Sequence, residues 1–191
     1  MIDTAVAAIT DRLNQYLRNE FDLSEDVVVV SNLLEQNGTV VSHIENKVVV
    51  FLVNIEKETA AQRHDARSLG DARHPARYPP LYLNLYLMFA ACFGGKNYPE
   101  ALKFISNTIA FFQRNPLFDH QNTPELDARV DRLIVDMENI PLKDLNSLWS
   151  VLSGKYLPSA LYKVRLLTFT GQDIKAAVPA VRDTEQTVQG S

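Results

Sequence analysis

One stretch of the chain is apolar on both faces of an extended backbone, and it constrains the fold more than any other feature. It covers residues 47–55, where the two faces are formed by Val48, Val50 and Leu52 and by Val49, Phe51 and Val53. Successive side chains of a strand point to opposite faces, so neither face of this stretch is polar. Such a strand must be covered on both sides, and we expect it to lie centrally in a sheet.

A second long strand is predicted directly after Pro79 and Pro80. Leucines occupy positions 81, 83, 85 and 87 and form one face of this stretch. The opposite face holds three polar or aromatic side chains, those of Tyr82, Asn84 and Tyr86. The period of two indicates a strand rather than a helix.

Two later stretches alternate between apolar and charged side chains. Residues 133–138 predict a half-exposed strand, and residues 161–169 predict a last strand with one solvent-facing side. The charged residues on these two strands are Asp136, Glu138, Lys163 and Arg165.

A β-hairpin is predicted near the N-terminus. Residues 27–30 are four consecutive valines, whose branched side chains favour an extended backbone buried on both faces. The Asn37-Gly38 pair that follows is a strong tight-turn signal, because both residues tolerate positive φ. Residues 39–44 would then return as the second strand of the hairpin.

Three amphipathic segments predict helices. The first covers residues 3–20 and carries apolar residues at spacings of three and four. The second begins at Asn97, whose side chain would cap it, and ends before Pro116 with a stripe of Leu102, Ile105, Ile109 and Phe112. The third is a short helix opened by Pro141 and capped by Gly154, with four residues expected to be buried: Leu145, Leu148, Trp149 and Leu152.

The order of these elements predicts an α+β fold, in which helices pack on a mixed or antiparallel β-sheet. Residues 1–170 are expected to form one domain, with a long Arg-rich loop at 58–78. Small and polar residues dominate positions 171–191, which are predicted to form a flexible arm or tail.

Composition excludes several classes of protein. The chain has 191 residues, 46% hydrophobic and 22% charged, as expected of a single folded core. A net charge of -4 argues against nucleic acid as the main ligand. Neither a cationic signal sequence nor a long uncharged apolar segment is evident, and the lone Cys92 suits a reducing compartment. We therefore expect cytoplasmic synthesis, no membrane partner and no disulfide.

No motif for catalysis, a cofactor or a metal stands out in the sequence. His64 and His74 lie ten residues apart with no neighbouring cysteine, which matches no common zinc pattern. The Gly94-Gly95-Lys96 run lacks the spacing of a phosphate-binding loop, and Ser159 is not in a nucleophile elbow. The aromatic residues are typical of a core. The residues indicate binding or assembly by a non-enzyme without a cofactor.

The Arg-rich loop is the most unusual segment. Long loops inside compact domains are usually functional or disordered. Its cations could bind phosphate or face a protein partner, or they could simply be solvated. Together with the last strand they give a candidate partner interface, which consists of Arg63, Arg67, Arg73, Arg77, Lys163 and Arg165.

Several stretches together resemble one family. They are residues 80–86, Tyr98 with Ala101-Leu102, residues 105–118, Leu148-Trp149, residues 154–159 and residues 162–165. In order and separation they are similar to the DUF4255 family, the N-terminal domain of the cap or tail-terminator protein of phage-tail-like extracellular contractile injection systems of the antifeeding-prophage type. The resemblance covers Ile2 to about Phe169.

The resemblance implies an α+β fold like that of phage tail-terminator proteins, and a structural role without catalytic residues. Such a cap stops growth of the inner tube and the contractile sheath at the end distal to the baseplate, as a ring of six copies. Its partners would be itself, the sheath protein and the tube protein. After synthesis it would become part of a particle that the cell may release.

Two alternatives stay open at this point. One is a small-molecule or peptide binding module closed by the Arg-rich loop. The other is a tube or baseplate adaptor of the same particle. For a cap, we further expect an unpaired strand edge at residues 161–169, or the tail after it, to pair with an arm of the last sheath ring.

Overall fold

The fold is known from a computed structural model that describes residues 1–58, 82–152 and 156–168. Within these ranges the chain forms three α-helices and six strands. In chain order they are α1 (Ile2–Phe21), β1 (Val28–Val30), β2 (Lys47–Lys57), β3 (Tyr82–Cys92), α2 (Tyr98–Arg114), β4 (Leu117–Asp119), β5 (Val130–Glu138), α3 (Leu142–Val151) and β6 (Ser159–Thr168).

All six strands belong to one sheet, in the order β1-β2-β3-β6-β5-β4. β1 runs parallel to β2, and every other neighbouring pair is antiparallel. The predicted α+β class with a mixed sheet is therefore confirmed. The two central strands, β3 and β6, are paired along most of their length on both sides.

The main core lies between α1, α2 and one face of the sheet, which we call the helix face. Leu13 and Leu17 of α1 and Phe112 of α2 pack there against Leu85 and Phe89 of β3. Burial of these large side chains, at roughly 1.5–3 kcal/mol each, is the main force that holds the two helices on the sheet. The helices cover the sheet because their apolar stripes match this face.

The opposite face of the sheet is covered only in part. A second apolar cluster forms there around Trp149 of α3, Phe51 of β2 and Met88 of β3. The segment between β1 and β2 contributes Leu33 and Ile44 to the same cluster. The remainder of this face carries polar side chains.

β2 is not central, as the sequence predicted, but second from the edge. Its first half is buried on both faces, since Val48, Val49 and Val50 are fully buried. β1 has only three residues and reaches no further than Val50. Leu52 and Ile55 are consequently exposed, and the apolar pattern overstated how deeply the strand is covered.

The predicted hairpin at residues 27–44 is wrong in its pairing and right in its turn. β1 pairs with β2 and not with residues 39–44. The Asn37-Gly38 turn closes a single bridge between Leu34 and Val40, and a 3₁₀-helix follows at Ser42–Ile44. A run of valines specifies an extended backbone but not its partner strand.

The helices lie where they were predicted, with two corrections in α2 and one in α3. Of the four residues of α3 that were expected to be buried, only Trp149 is, and Leu145, Leu148 and Leu152 are partly buried. Asn97 makes no capping hydrogen bond, and its side-chain NH₂ donates to Asn46 Oδ1 at 3.1 Å. Leu102 is exposed, while Phe104 and Thr108 are buried. The buried stripe is therefore rotated relative to the predicted one. Gly154, the predicted cap of α3, lies outside the described residues.

β6 corrects the expectation that residues 161–169 offer an unpaired strand edge. β3 pairs along one side of β6, and β5 pairs along the other. Its backbone hydrogen bonds are thus used inside the sheet. Any strand that joins this sheet has to do so elsewhere.

Candidate partner interface

A band of polar side chains crosses four strands on the face opposite α1 and α2. We call it the polar patch; its members are Glu56, Asn84, Tyr86, Asp136, Glu138, Lys163 and Arg165. Strand register explains the grouping, because Glu56 lies opposite Asn84, and Asn84 lies opposite Arg165. Beside this row, Tyr86 lies opposite Lys163, which in turn lies opposite Asp136.

The two cations of the patch are paired with acids of β5. Arg165 Nη2 contacts Asp136 Oδ2, and Lys163 Nζ lies 3.8 Å from Glu138 Oε2. All four side chains remain 30–46% exposed. Exposed ion pairs of this kind contribute about 0–1 kcal/mol, so these pairs hold the cations in place more than they stabilise the fold. A partner carboxylate can compete for them at little cost.

On the β2 side the patch is a hydrogen-bond network around Asn84 and Tyr86. The Tyr86 hydroxyl donates to Glu56 Oε2 at 2.9 Å, and the Asn84 amide donates to Glu58 Oε2 at 3.0 Å. The hydrogen bond to the Glu56 carboxylate, followed by burial, raises the pKa of Tyr86. At neutral pH Tyr86 is therefore a donor fixed in one direction.

Two polar atoms at the centre of the patch lack a hydrogen-bond partner among the described residues. They are Asn84 Oδ1, an acceptor, and Arg165 Nε, a donor, and both are buried. Burying such an atom without a partner costs on the order of 1–3 kcal/mol. Asn84 and Arg165 face each other on β3 and β6. The centre of the patch is therefore where an added donor or acceptor would gain most.

The other predicted interface residues lie outside the described part of the chain. Arg63, Arg67, Arg73 and Arg77 belong to residues 59–81, and the tail predicted at 171–191 is also outside it. β2 ends at Lys57, β3 begins at Tyr82 and β6 ends at Thr168. Antiparallel pairing places these three points at the same end of the sheet, which is also the end that carries the polar patch.

Sequence reasoning missed the acidic half of the patch. The sequence predicts Asp136 and Glu138 only as charged residues of a half-exposed strand, and it does not single out Glu56. The available signal was the alternation of Tyr82, Asn84 and Tyr86 on a strand otherwise made of leucines. A polar row on a central strand indicates that part of the face is open.

The described residues contain no arrangement suited to metal chemistry. Within residues 1–58, 82–152 and 156–168, no three His, Cys, Asp or Glu side chains come close enough together to hold a metal ion. Burial raises the pKa of the half-buried Cys92 thiol, which makes it a weaker nucleophile. In the same part of the chain, none of the helices is both long and apolar enough to span a membrane.

The six-stranded mixed sheet with helices packed on it matches the fold of tail-terminator proteins. Two solved structures share it. One is the sheath/tube terminator of the extracellular contractile injection system PVC in its extended state, with a TM-score of 0.58, 18% identity and coverage of 100% of this chain. The other is the tube-terminating cap of the anti-feeding prophage, with a TM-score of 0.55, 13% identity and coverage of 98%.

The chain belongs to the family described as the Pvc16 N-terminal domain, whose model matches residues 4–183. The resemblance to the N-terminal domain of a cap protein is thereby confirmed. The match covers 65% and 61% of the length of the two terminator chains. Comparison with curated proteins gives no significant match.

Proposed function

We propose that this chain is a structural cap that ends the inner tube and the contractile sheath of an extracellular contractile injection system. The observation that carries the proposal is a fold shared over nearly the whole chain with two such terminators. The cap acts as a ring of six copies and catalyses no reaction. Its partners are further copies of itself, the tube protein and the sheath protein. It is made in the cytoplasm and leaves the cell within the particle.

The mechanism of capping is asymmetry between surfaces. A growing stack presents the same unsatisfied surface at each new layer. A terminator must match that surface on one side and offer no copy of it on the other. The two sides of the sheet differ, since α1 and α2 cover one side and the polar patch lies on the other, which supports this role. The cations of residues 59–81 suit an acidic partner surface, where charge steers orientation more than it adds affinity. Lys163 and Arg165 of the patch would join that contact by exchanging Glu138 and Asp136 for carboxylates of the partner.

Deletion of the gene tests the proposal directly. Without the cap, tubes and sheaths should become overlong and variable when particles are measured by electron microscopy. Supplying the wild-type chain from a plasmid should restore a uniform length. Particles of unchanged length in the deletion strain would contradict capping. A labelled chain found at the baseplate would instead favour the adaptor.

A further inference from the structure

Both outermost strands of the sheet have backbone groups that are satisfied by an asparagine side chain. The amide of Asn14, from α1, donates to Val28 O at 2.8 Å and accepts from Val28 N at 2.8 Å. On β4, Asn122 accepts from Asp119 N at 3.1 Å and donates to Leu117 O at 2.9 Å. Each asparagine imitates a neighbouring strand. Neither edge can accept another strand where its asparagine is bound.

β2 has an open edge beyond the end of β1. Among the described residues, no strand pairs with Leu52 to Lys57 on the side away from β3. The Glu58 amide donates to Tyr82 O at 3.0 Å, across to β3. Because backbone groups alternate in direction along a strand, those of Ile55 and Lys57 point away from β3. We call residues 52–57 the β2 edge.

β5 has a similar open edge at the other side of the sheet. The Val135 amide donates to Pro116 O at 2.8 Å, which fixes the side on which its backbone groups lie. Two residues further on, the groups of Met137 point to the same side. No strand within the described ranges pairs with β5 there, since β4 reaches only to Ile134. We call residues 136–138 the β5 edge.

The two edges expose apolar side chains on the same face of the sheet. On the β2 edge, Leu52 and Ile55 are 42% and 43% exposed, and they lie opposite the buried Leu87 and Leu85 of the helix face. On the β5 edge, Met137 is 52% exposed and lies opposite Tyr162, also on the helix face. If the edges joined, these side chains would cover one another.

We propose that the β2 edge of one copy pairs with the β5 edge of the next copy, so that the sheet continues from subunit to subunit. The inference rests on the ring in the proposed function and names its contact. The two edges differ, so the contact is head-to-tail and repeats around a ring until the rotation closes. A foreign strand would satisfy one edge and leave the other open, whereas further copies that close a ring satisfy both edges of every subunit. Glu56 and Lys57 on the β2 edge disfavour pairing with arbitrary strands.

Single-edge variants test the contact. Ile55→Pro and Met137→Pro each remove one outward amide and keep the bonds to the neighbouring inner strand. Each variant alone should be monomeric by native mass spectrometry, where the wild type gives the ring mass. An equimolar mixture should form a dimer and nothing larger, because one intact edge of each kind remains. Leu142→Glu, at another exposed apolar residue, should leave the ring unchanged.

Circular dichroism checks that the two proline variants are folded. If either proline variant melts at a lower temperature than the wild type, Ile55→Glu and Met137→Glu replace the proline variants in the test of ring formation, because they keep the backbone amide. A second readout uses Ile55→Cys with Met137→Cys in a Cys92→Ala background, which should give oxidised ladders of linked subunits on the assembled particle. Rings that persist in both edge variants, or the absence of a dimer in the mixture, would overturn the inference.

This outcome is separable from the capping test. If the edge variants still form rings but deletion of the gene lengthens the tubes, the capping role is supported and the proposed contact is refuted. If the edge variants lose the ring but tube length is unchanged on deletion of the gene, the proposed contact is supported and the capping role is refuted. A wild-type chain that stays monomeric, both alone and on polymerised tube, overturns the contact.

Discussion

Lys163 and Arg165 are held in position by acids on the next strand and yet stay partly open to solvent. Their exposed ion pairs add little to stability, which leaves their positive charge available to a partner. Arg165 also has a buried Nε without a partner among the described residues. These features keep both residues as candidates for contact with an acidic surface of the tube or sheath.

Charge reversal checks this role. Lys163→Glu with Arg165→Glu should weaken docking to assembled tube and sheath several-fold at low salt, and the difference should shrink as salt screens the charges. Co-sedimentation with assembled particles measures the docking at each salt concentration. Lys96→Glu, an exposed cation in a distant turn, is the control and should dock normally. Unaltered docking of the double variant at low salt would remove the role.

Tyr162 should make stability depend on alkaline pH. Its side chain is buried under α2, where desolvation raises its pKa from 10.0 to about 12. The folded state therefore favours the neutral phenol. The resulting contribution is complete below pH 10 and is lost as the pH rises towards 12. Urea unfolding of wild type and Tyr162→Phe between pH 8 and 12 should diverge above pH 10, with the variant less sensitive. Parallel curves would refute the assignment.

At the scale of elements, the α1–β1 contact depends on one buried amide. Asn14 is 3% exposed and bonds to Val27 N, Val28 N and Val28 O. Asn14→Ala would leave these backbone groups without a partner and should lower the free energy of unfolding by about 2–4 kcal/mol. Asn122→Ala is the matched control, since it removes a comparable edge contact at an exposed site and should cost about 1 kcal/mol or less. Urea unfolding of both variants measures the contrast; equal losses would contradict it.

The elements that could be predicted from sequence are the long ones with a clear pattern. Residues 81–89 and 161–169 became β3 and β6, because a period of two over many residues fits no helix. Residues 47–55 became β2, because a run rich in β-branched residues favours a strand that is buried on both faces. The failures have a different cause. β4 has three residues, too few to show a period, and β1 pairs with Val48, Val49 and Val50 of β2, which lie outside the segment predicted as a hairpin. Pairing is a property of two segments, and one segment cannot report it.

At the scale of the molecule, the sequence indicated the fold class but not the sheet order. The polar patch could be predicted only in part, since Lys163 and Arg165 were recognised but their acidic partners on β5 required the register. The order of strands decides which strand edges are open. An open edge was expected on β6, but the open edges lie on β2 and β5. The role of the Arg-rich loop in a partner interface stays a prediction.

Truncation tests the extent of the domain. The last described strand ends at Thr168, and the boundary was predicted near residue 170. A chain that ends after Thr170 should keep the same helical signal and the same melting temperature by circular dichroism. The family match extends to residue 183, which makes truncation after Thr184 the natural control. Loss of the cooperative transition only in the shorter chain would move the boundary beyond Thr170.

The amides of Asn14 and Asn122 have a geometric consequence for assembly. With the two outermost strands occupied, the contact proposed above would bring an incoming subunit one strand further in, beside the overhanging ends of β2 and β5. Neighbouring copies would then be offset from each other along the strand axis. A ring closed by this contact would repeat the same offset at every subunit, so two short side chains would set the offset between all neighbouring copies.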